Sequence, residues 1–345
     1  MWVISLVIEG VTVRAMIRTR VIGTGSYLPS RVVPNEEIAQ AVGVSPADIR
    51  RLTGIQSRHW AGDQEAASDL AIAAGRLALE AAGCEPSAID AIVLSTTSPD
   101  MAFPSTACLV QRGLGCGQVG AFDVSASCSG FLYGLSMAQA MIQSGQVKTC
   151  LVVAAEVKSR TLDFQDPATA LLFGDGAGAV ILRGEHDPNP EWRGILGIRL
   201  YADGSAHGLI RIPGGGSRSP ASADTVRKRE HTLRMRGSSL FRVAIRRVEQ
   251  SVHEILKEFG VRADDLKQVV LHQANGRILD QIADRIGIER SRVASVIERY
   301  GNTSSASLPI TLDDAVRHGH ISAGDLVLLG SFGGGLTWAT SLVRW

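Results

Sequence analysis

Cys128 stands in "DVSASCSGF", where an apolar strand-like run gives way to an apolar helix-like run and small residues surround one thiol. A thiol at a helix N-terminus meets the positive end of the helix dipole and free backbone N–H groups. That setting lowers the thiol pKa and makes thiolate available at neutral pH. Ser127, Ser129 and Gly130 leave room for a substrate carbonyl. The competing reading of any free cysteine is a small buried hydrophobe, and it is the one that fits Cys84, Cys108, Cys116 and Cys150. His272 in "VVLHQAN" follows a buried strand, and Asn302 in "YGNTSSAS" precedes a helix. A lone histidine there is an ordinary structural residue. Paired with an uncharged amide, it donates two hydrogen bonds to one developing oxyanion. The thiol and the imidazole form a nucleophile pair only if the fold joins distant segments. "SFGGGLTW" (Ser331 to Trp338) allows a close backbone approach and is either a tight turn or a source of N–H donors. "FGDGAGA" lies between strands and lacks GxGxxG, so it reads as structural.

These residues need a layered frame. Strand-like and helix-like runs alternate, the pattern of α/β folds. "RTRVIGTGSYLP" reads as strand and turn, and "ASDLAIAAGRLALEAAG" (Ala67 to Gly83) has helical periodicity with a glycine stop. "AIDAIVLSTTS", "GAFDVSAS", "TCLVVAAEV" and "GAGAVILRG" read as strands. "SGFLYGLSMAQAMIQSG" is apolar on nearly every face and predicts a buried helix. "GEHDPNPEWRG" (Gly184 to Gly194) reads as a linker. Beyond it the pattern repeats. "LKQVVLHQAN" echoes "IDAIVLSTTS", "GNTSSASLPITLDDAV" echoes "ASCSGFLYGLSMAQAM", and "DLVLLGSFGGGLTWATSLVRW" echoes "TALLFGDGAGAVILRG", each of the last pair read as strand, glycine-rich turn and strand. A duplicated unit with two sheets sandwiching helices follows, and "SLFRVAIRRVEQSVHEILKEFG" supplies an outer layer.

Composition narrows the function classes. The 345-residue chain is 45% hydrophobic and 20% charged, enough for a substantial core. A net charge of +1 and 5% aromatic content argue against a nucleic-acid partner. No run of about 18 apolar residues predicts a membrane span. Five cysteines, an odd number without CxxC, predict neither a disulfide framework nor a zinc site, and fit a reducing cytoplasm. Residues 1–15 lack a basic leader and a cleavage signal and are expected to be an extension ahead of a fold that opens at Met16. The expected halves are 16–188, bearing the cysteine, and 189–345, bearing the histidine and the asparagine.

Together "DVSASCSGF", "FGDGAGAVIL", "HQANGRI", "YGNTSSASLP" and "SFGGGLTWATSLVRW" resemble the β-ketoacyl-acyl-carrier-protein synthase III family of the thiolase-like superfamily, from about Arg18 to Trp345. The resemblance implies a five-layered αβαβα fold with two duplicated halves. It implies a cytoplasmic homodimer that condenses an acyl thioester, on coenzyme A or a carrier, with malonyl-acyl-carrier protein at the start of fatty-acid synthesis. No cofactor or metal beyond the phosphopantetheine of the substrates is implied. By resemblance Cys128 takes the acyl group, His272 and Asn302 activate malonyl, the N–H groups of Cys128 and Gly334 form an oxyanion hole, and Phe332 favours loss of CO2. Phe173, Leu233 and Thr97 resemble acyl-pocket positions, and Phe103 resembles a residue capping the neighbouring subunit's pocket. Arg242 and Arg277 resemble carrier-docking positions, within a basic set that includes Arg246 and Arg247. Gly237, Ser238 and Asn275 resemble a pantetheine channel.

The pattern breaks at the coenzyme A adenine site, where Asp48, Leu52 and Pro167 replace the usual Trp and two Arg; Arg50, Arg51, Arg58 and Trp60 are nearby substitutes. Lys158 falls where an apolar residue often lines the acyl side. It reads as a surface lysine or as the receiver of a carboxylated acyl chain. "GGGSRSPASADTVRKREHTLRMRG" reads as a mobile basic loop bordering the entrance. The other readings kept open are a specialised relative (a biotin-precursor synthase, a polyketide starter enzyme or an acyltransferase) and a non-catalytic partner subunit, which is expected to lose its nucleophile.

Overall fold

The computed structural model describes residues 17–187, 189 and 191–345. The expected extension 1–15, Met16 and the half boundary at Pro188 lie outside the described residues. The first half runs through β1 (Ile17–Tyr27), β2 (Arg31–Pro34), α1 (Asn35–Val42), α2 (Pro46–Thr53), β3 (Ser57–Trp60), α3 (Ala67–Ala82), β4 (Ala91–Ser95), α4 (Thr106–Leu114), β5 (Gly120–Val124), α5 (Gly130–Gln143), β6 (Thr149–Glu156), α6 (Pro167–Ala170) and β7 (Gly176–His186). The second half follows with β8 (Gly194–Ala202), β9 (Ile210–Arg211), α7 (Ala223–Arg227), β10 (Arg234–Met235), α8 (Gly237–Phe259), β11 (Gln268–Leu271), α9 (Gly276–Ile286), β12 (Val293–Ala294), α10 (Ile297–Tyr300), α11 (Ser307–Arg317), β13 (Leu326–Gly333) and β14 (Thr337–Arg344).

Two five-stranded sheets carry the molecule. Their orders, β1-β7-β6-β4-β5 and β8-β14-β13-β11-β12, match strand for strand. The senses match as well: β4 and β11 each lie parallel to both neighbours, while β7 and β14 each run antiparallel on both sides. The duplication expected from the sequence echoes is therefore a property of the backbone. Helices α3 and α4 cover the outer face of the first sheet, α5 and α11 lie between the sheets, and α8 covers the second sheet with α9 against it. That is the five-layered αβαβα arrangement.

Local chemistry explains these elements. Helix α3 ends where Gly83 takes the left-handed conformation, φ 54°, and its N–H caps the last turn. The alanines of α3 let it lie directly on β1, where a Cβ on Gly25 would stand 2.4 Å from Ala78 N. Helix α5 is buried along Phe131, Leu132, Leu135 and Ala138 and leaves only a narrow face open at Met137. Phe131, Leu135 and Leu312 share one core with residues of both sheets.

Three expectations need correction. "TALLF" is not a strand: Pro167 starts a short helix there, with the Asp166 side chain accepting from Ala168 N–H. In the duplicated pattern β13 corresponds to β6 and β14 to β7, and the segment 157–175 stands between β6 and β7 where a turn at 334–336 joins β13 to β14. The basic loop after β9 is anchored: Arg229 and Arg234 both reach the buried Asp163 carboxylate, at 2.8 and 3.3 Å.

Candidate active site

Cys128 lies on a single 3-10 turn, Ser127–Ser129, between β5 and α5. The turn places the thiol at the mouth of the central helix, as the sequence predicts. It also makes Ser127 adopt a positive φ of 50°. The sulfur is only 6% exposed as part of its residue and contacts Ser304 Oγ at 3.4 Å and Ser127 Oγ at 3.9 Å. The expected lowering of its pKa does not hold. Burial pushes the thiol up, the Glu156 charge adds to the push, and the Ser304 hydrogen bond and Lys158 only partly oppose it.

His272 immediately follows β11, with its backbone N–H on Gly330 O at 2.8 Å. Its Nδ1 meets Ser307 Oγ at 2.7 Å, and the ring also hydrogen-bonds the Ser304 backbone. Burial pushes its pKa down to about 3, so the ring is neutral at physiological pH. The Phe332 ring stands edge-on to it, 5.3 Å between centroids. Asn302 is buried and its amide Oδ1 accepts the Ser304 N–H at 2.9 Å. Backbone bonds to Leu172 and Gly174 clamp it in place. One amide N–H is spent on Ala274 O at 3.4 Å, and among the described residues the second has no partner and can donate.

Ser304 is the residue that sequence reasoning missed. It touches Cys128 through its hydroxyl, Asn302 through its N–H and His272 through its backbone. Its φ of 54° is unusual for a non-glycine residue, and it sits on a second 3-10 turn, Ser304–Ala306, ahead of α11. The signal was present in "GNTSSAS", whose serines read only as small residues.

A cavity of about 350 Å³ opens at the sulfur. Thr97, Phe173 and Leu233 line it together with Ile210, Ser304 and Gly334. Gly333 matters as much as Gly334, because a Cβ there would stand 2.5 Å from Cys128 N. The cavity also receives Lys158, which is 4% exposed, so the surface reading of that lysine is wrong. Lys158 Nζ meets Glu156 Oε2 at 3.1 Å and donates to Thr97 Oγ1. Glu156 is fully buried and accepts hydrogen bonds from Ser98, Ser304 and Ser305 hydroxyls and from Thr97 N–H. Burial pushes its carboxyl up, but Lys158 and these donors outweigh it and hold it below its usual value. Removing one partner of such a buried pair typically costs about 3–5 kcal/mol.

His272, Asn302 and Phe332 stand behind the cavity lining, and other expected residues also fall outside it. Phe103 is 84% exposed on the surface. Asn275 caps α9, accepting from Arg277 N–H and donating to Leu52 O. Gly237 and Ser238 open α8. Arg242 and Arg277 are exposed, and Arg242 lines a second cavity of about 620 Å³ with Arg236, Arg246 and Arg247. Arg58 cannot substitute at an adenine site: it is fully buried and its guanidinium is spent on Val33 O, Asn35 Oδ1 and Leu171 O. Trp60 is also buried, with its indole N–H on Phe173 O. Arg51 is exposed and paired with Asp48, and Arg50 is exposed 3.4 Å from Glu298. Among the described residues no helix is long and apolar enough to cross a membrane.

The family model described as 3-oxoacyl-[acyl-carrier-protein] synthase III matches residues 122–204, and its C-terminal counterpart matches residues 256–345. A β-ketoacyl-[acyl-carrier-protein] synthase III of Erythrobacter litoralis is 47% identical over 330 residues, covering 96% of this chain and 100% of that one. The crystal structure of 3-oxoacyl-[acyl-carrier-protein] synthase III from Aquifex aeolicus superposes with a TM-score of 0.87 at 40% identity, covering 95% of this chain and 100% of that one. The priming β-ketosynthase of the R1128 polyketide biosynthetic pathway superposes with a TM-score of 0.88 at 35% identity, over 97% and 98% of the two chains. Matches of this identity over nearly the full length leave one assignment: the chain belongs to the 3-oxoacyl-[acyl-carrier-protein] synthase III family of acyl-transferring condensing enzymes, in the thiolase-like superfamily.

Proposed function

We propose that Cys128 carries the acyl group and that His272 and Asn302 activate the malonyl thioester, in a decarboxylative condensation that starts an acyl chain. The Cys128 sulfur attacks the primer carbonyl and the donor thiol leaves. The malonyl carboxylate then departs as CO2, and the electron pair becomes an enolate. An enolate oxygen needs donors rather than a base. A neutral amide with an N–H to spare and a neutral imidazole whose one N–H turns from the Ser304 backbone to the enolate supply them, and a ring with a pKa of about 3 is suited to that role. The enolate carbon attacks the acyl-Cys128 carbonyl, whose oxyanion lies on the N–H groups of Cys128 and Gly334, and the thiolate is released. Phe332, edge-on to His272, presents an apolar surface that disfavours the malonyl carboxylate. The cycle consumes two thioesters and the one proton that returns the Cys128 thiolate to the thiol.

The observation that carries this reading is Ser304, which lines the cavity beside the thiol and touches the thiol, the imidazole and the amide. The same three residues argue against a non-catalytic partner subunit. Exposed Phe103 and Met101 form an apolar pair suited to a second copy of the chain, and we assign them to a homodimer contact. Exposed Arg242 and Arg277 suit an acidic carrier protein with its phosphopantetheine. Gly237, Ser238 and Asn275 are assigned to the pantetheine path. Five free cysteines fit a cytoplasmic site of action. Intact-mass measurement after incubation with a panel of acyl-coenzyme A and acyl-carrier thioesters tests the reading. A stoichiometric adduct on Cys128, discharged by malonyl-carrier protein, is expected; no adduct from any thioester contradicts it.

A further inference from the structure

The cavity at Cys128 has an unusual charge pattern for one that accepts an alkyl chain. Among the described residues two cations, Lys158 and Arg211, line it, and no carboxylate does. An ammonium has three N–H donors. Those of Lys158 reach Thr97 Oγ1 and Glu156 Oε2, and among the described residues the ammonium has no further partner. Glu156 does not depend on Lys158 alone, because it already collects five hydroxyl and N–H donors from Thr97, Ser98, Ser304 and Ser305. The lysine is therefore held rigidly, with donor capacity left on the cavity side. A plain alkyl chain seated here strips water from that N–H and returns nothing. An anionic oxygen returns a charge-assisted hydrogen bond.

We propose that Lys158 sets primer specificity: its remaining N–H binds a carboxylate at the far end of the acyl chain, so the enzyme loads thioesters of short dicarboxylic acids in preference to alkyl-acyl thioesters of the same shape. The inference rests on Cys128 being the acyl acceptor. In the loading step the Cys128 sulfur bonds the acyl carbon, the donor C–S bond breaks, and the donor sulfur leaves with the thiol proton. The distal carboxylate takes no part beyond binding.

Shape and charge are separated by isosteric pairs. The protein is offered pantetheine thioesters of glutarate against 5-methylhexanoate, and of succinate against 4-methylpentanoate, with the Cys128 adduct read by intact mass over time. Loading of the carboxylated member at least about tenfold faster is expected, the range of one hydrogen bond to a charged group. Lys158→Met reverses the preference. The double variant Glu156→Gln/Lys158→Met removes both charges, avoids an unpaired buried carboxylate, and reverses it too. Equal loading by the unaltered protein, faster loading of the branched alkyl member, or a preference that survives in whichever variant folds overturns the proposal while leaving Cys128 in its role. Absence of any adduct, from these four or from the acetyl thioester, removes the acceptor and the proposal with it.

Discussion

The two halves place the same backbone around the cavity and dress it differently. Ser95 ends β4 and His272 follows β11 at the corresponding point of the second sheet. Against Ser95 the first half sets Gly130, where a Cβ would come within 2.1 Å of Ser95 Oγ; against His272 the second half sets Ser307, whose hydroxyl holds the imidazole. Each central helix is preceded by a 3-10 turn that opens on a serine with positive φ, Ser127 in one half and Ser304 in the other. The next residue is Cys128 in the first turn and Ser305 in the second, and Ser305 gives its hydroxyl to Glu156. Glu156 ends β6; its counterpart at the end of β13 is Gly333, against which the Cys128 backbone rests. One turn thus presents a nucleophile to a glycine, and its copy presents hydroxyls to a buried carboxylate. Duplication supplies two matched strand-and-helix mouths facing one cavity, and divergence gives them separate chemical tasks.

Four substitutions or conditions press on that contrast, in falling order of effect. Cys128→Ala removes the nucleophile that the first turn carries and the second lacks; acyl adduct formation is expected to vanish while the circular dichroism of the fold persists, and stoichiometric acylation of the variant takes the role away from Cys128. Gly333→Ala imposes on the first turn the side chain its close approach excludes, and condensation measured by kcat/KM is expected to fall about 100-fold, the scale of losing one oxyanion donor; wild-type rates contradict that packing argument. Burial of the thiol predicts a pH profile of Cys128 alkylation by iodoacetamide that climbs roughly tenfold per unit at neutral pH and is still rising at about pH 9. The sign follows from the raised pKa, since the thiolate fraction keeps growing until pH passes it. A plateau below pH 8 indicates that the helix dipole prevails over burial. Arg277→Ala, outside the cavity, is expected to weaken carrier-protein binding a few-fold at low salt and less at high salt; a salt-independent loss points to packing instead.

Much of this was legible in the sequence where local rules decide. The Gly83 stop of α3, the strand of "AIVLS" and the echo of "IDAIVLSTTS" in "LKQVVLHQAN" need only periodicity and glycine chemistry. The strand assigned to "TALLF" failed because an apolar run of that length is ambiguous, and Pro167 with Asp166 settles it as a short helix. The thiol pKa failed because a sequence reveals the helix behind Cys128 but not the residues that close over it. Lys158 and Arg58 misled for the same reason: each is charged, and each is buried against partners remote in the chain, Thr97 for Lys158 and Asn35 and Leu171 for Arg58. Ser304 escaped notice because its contacts run to three segments at once.

The division of labour between the halves is tested most directly in Asn302→Ala by intact mass, before and after addition of malonyl-carrier protein. The account predicts that the acyl adduct on Cys128 forms at close to the wild-type rate and then persists, because the second half no longer stabilises the enolate. Discharge of that adduct at the wild-type rate, or its failure to form in the folded variant, contradicts the account.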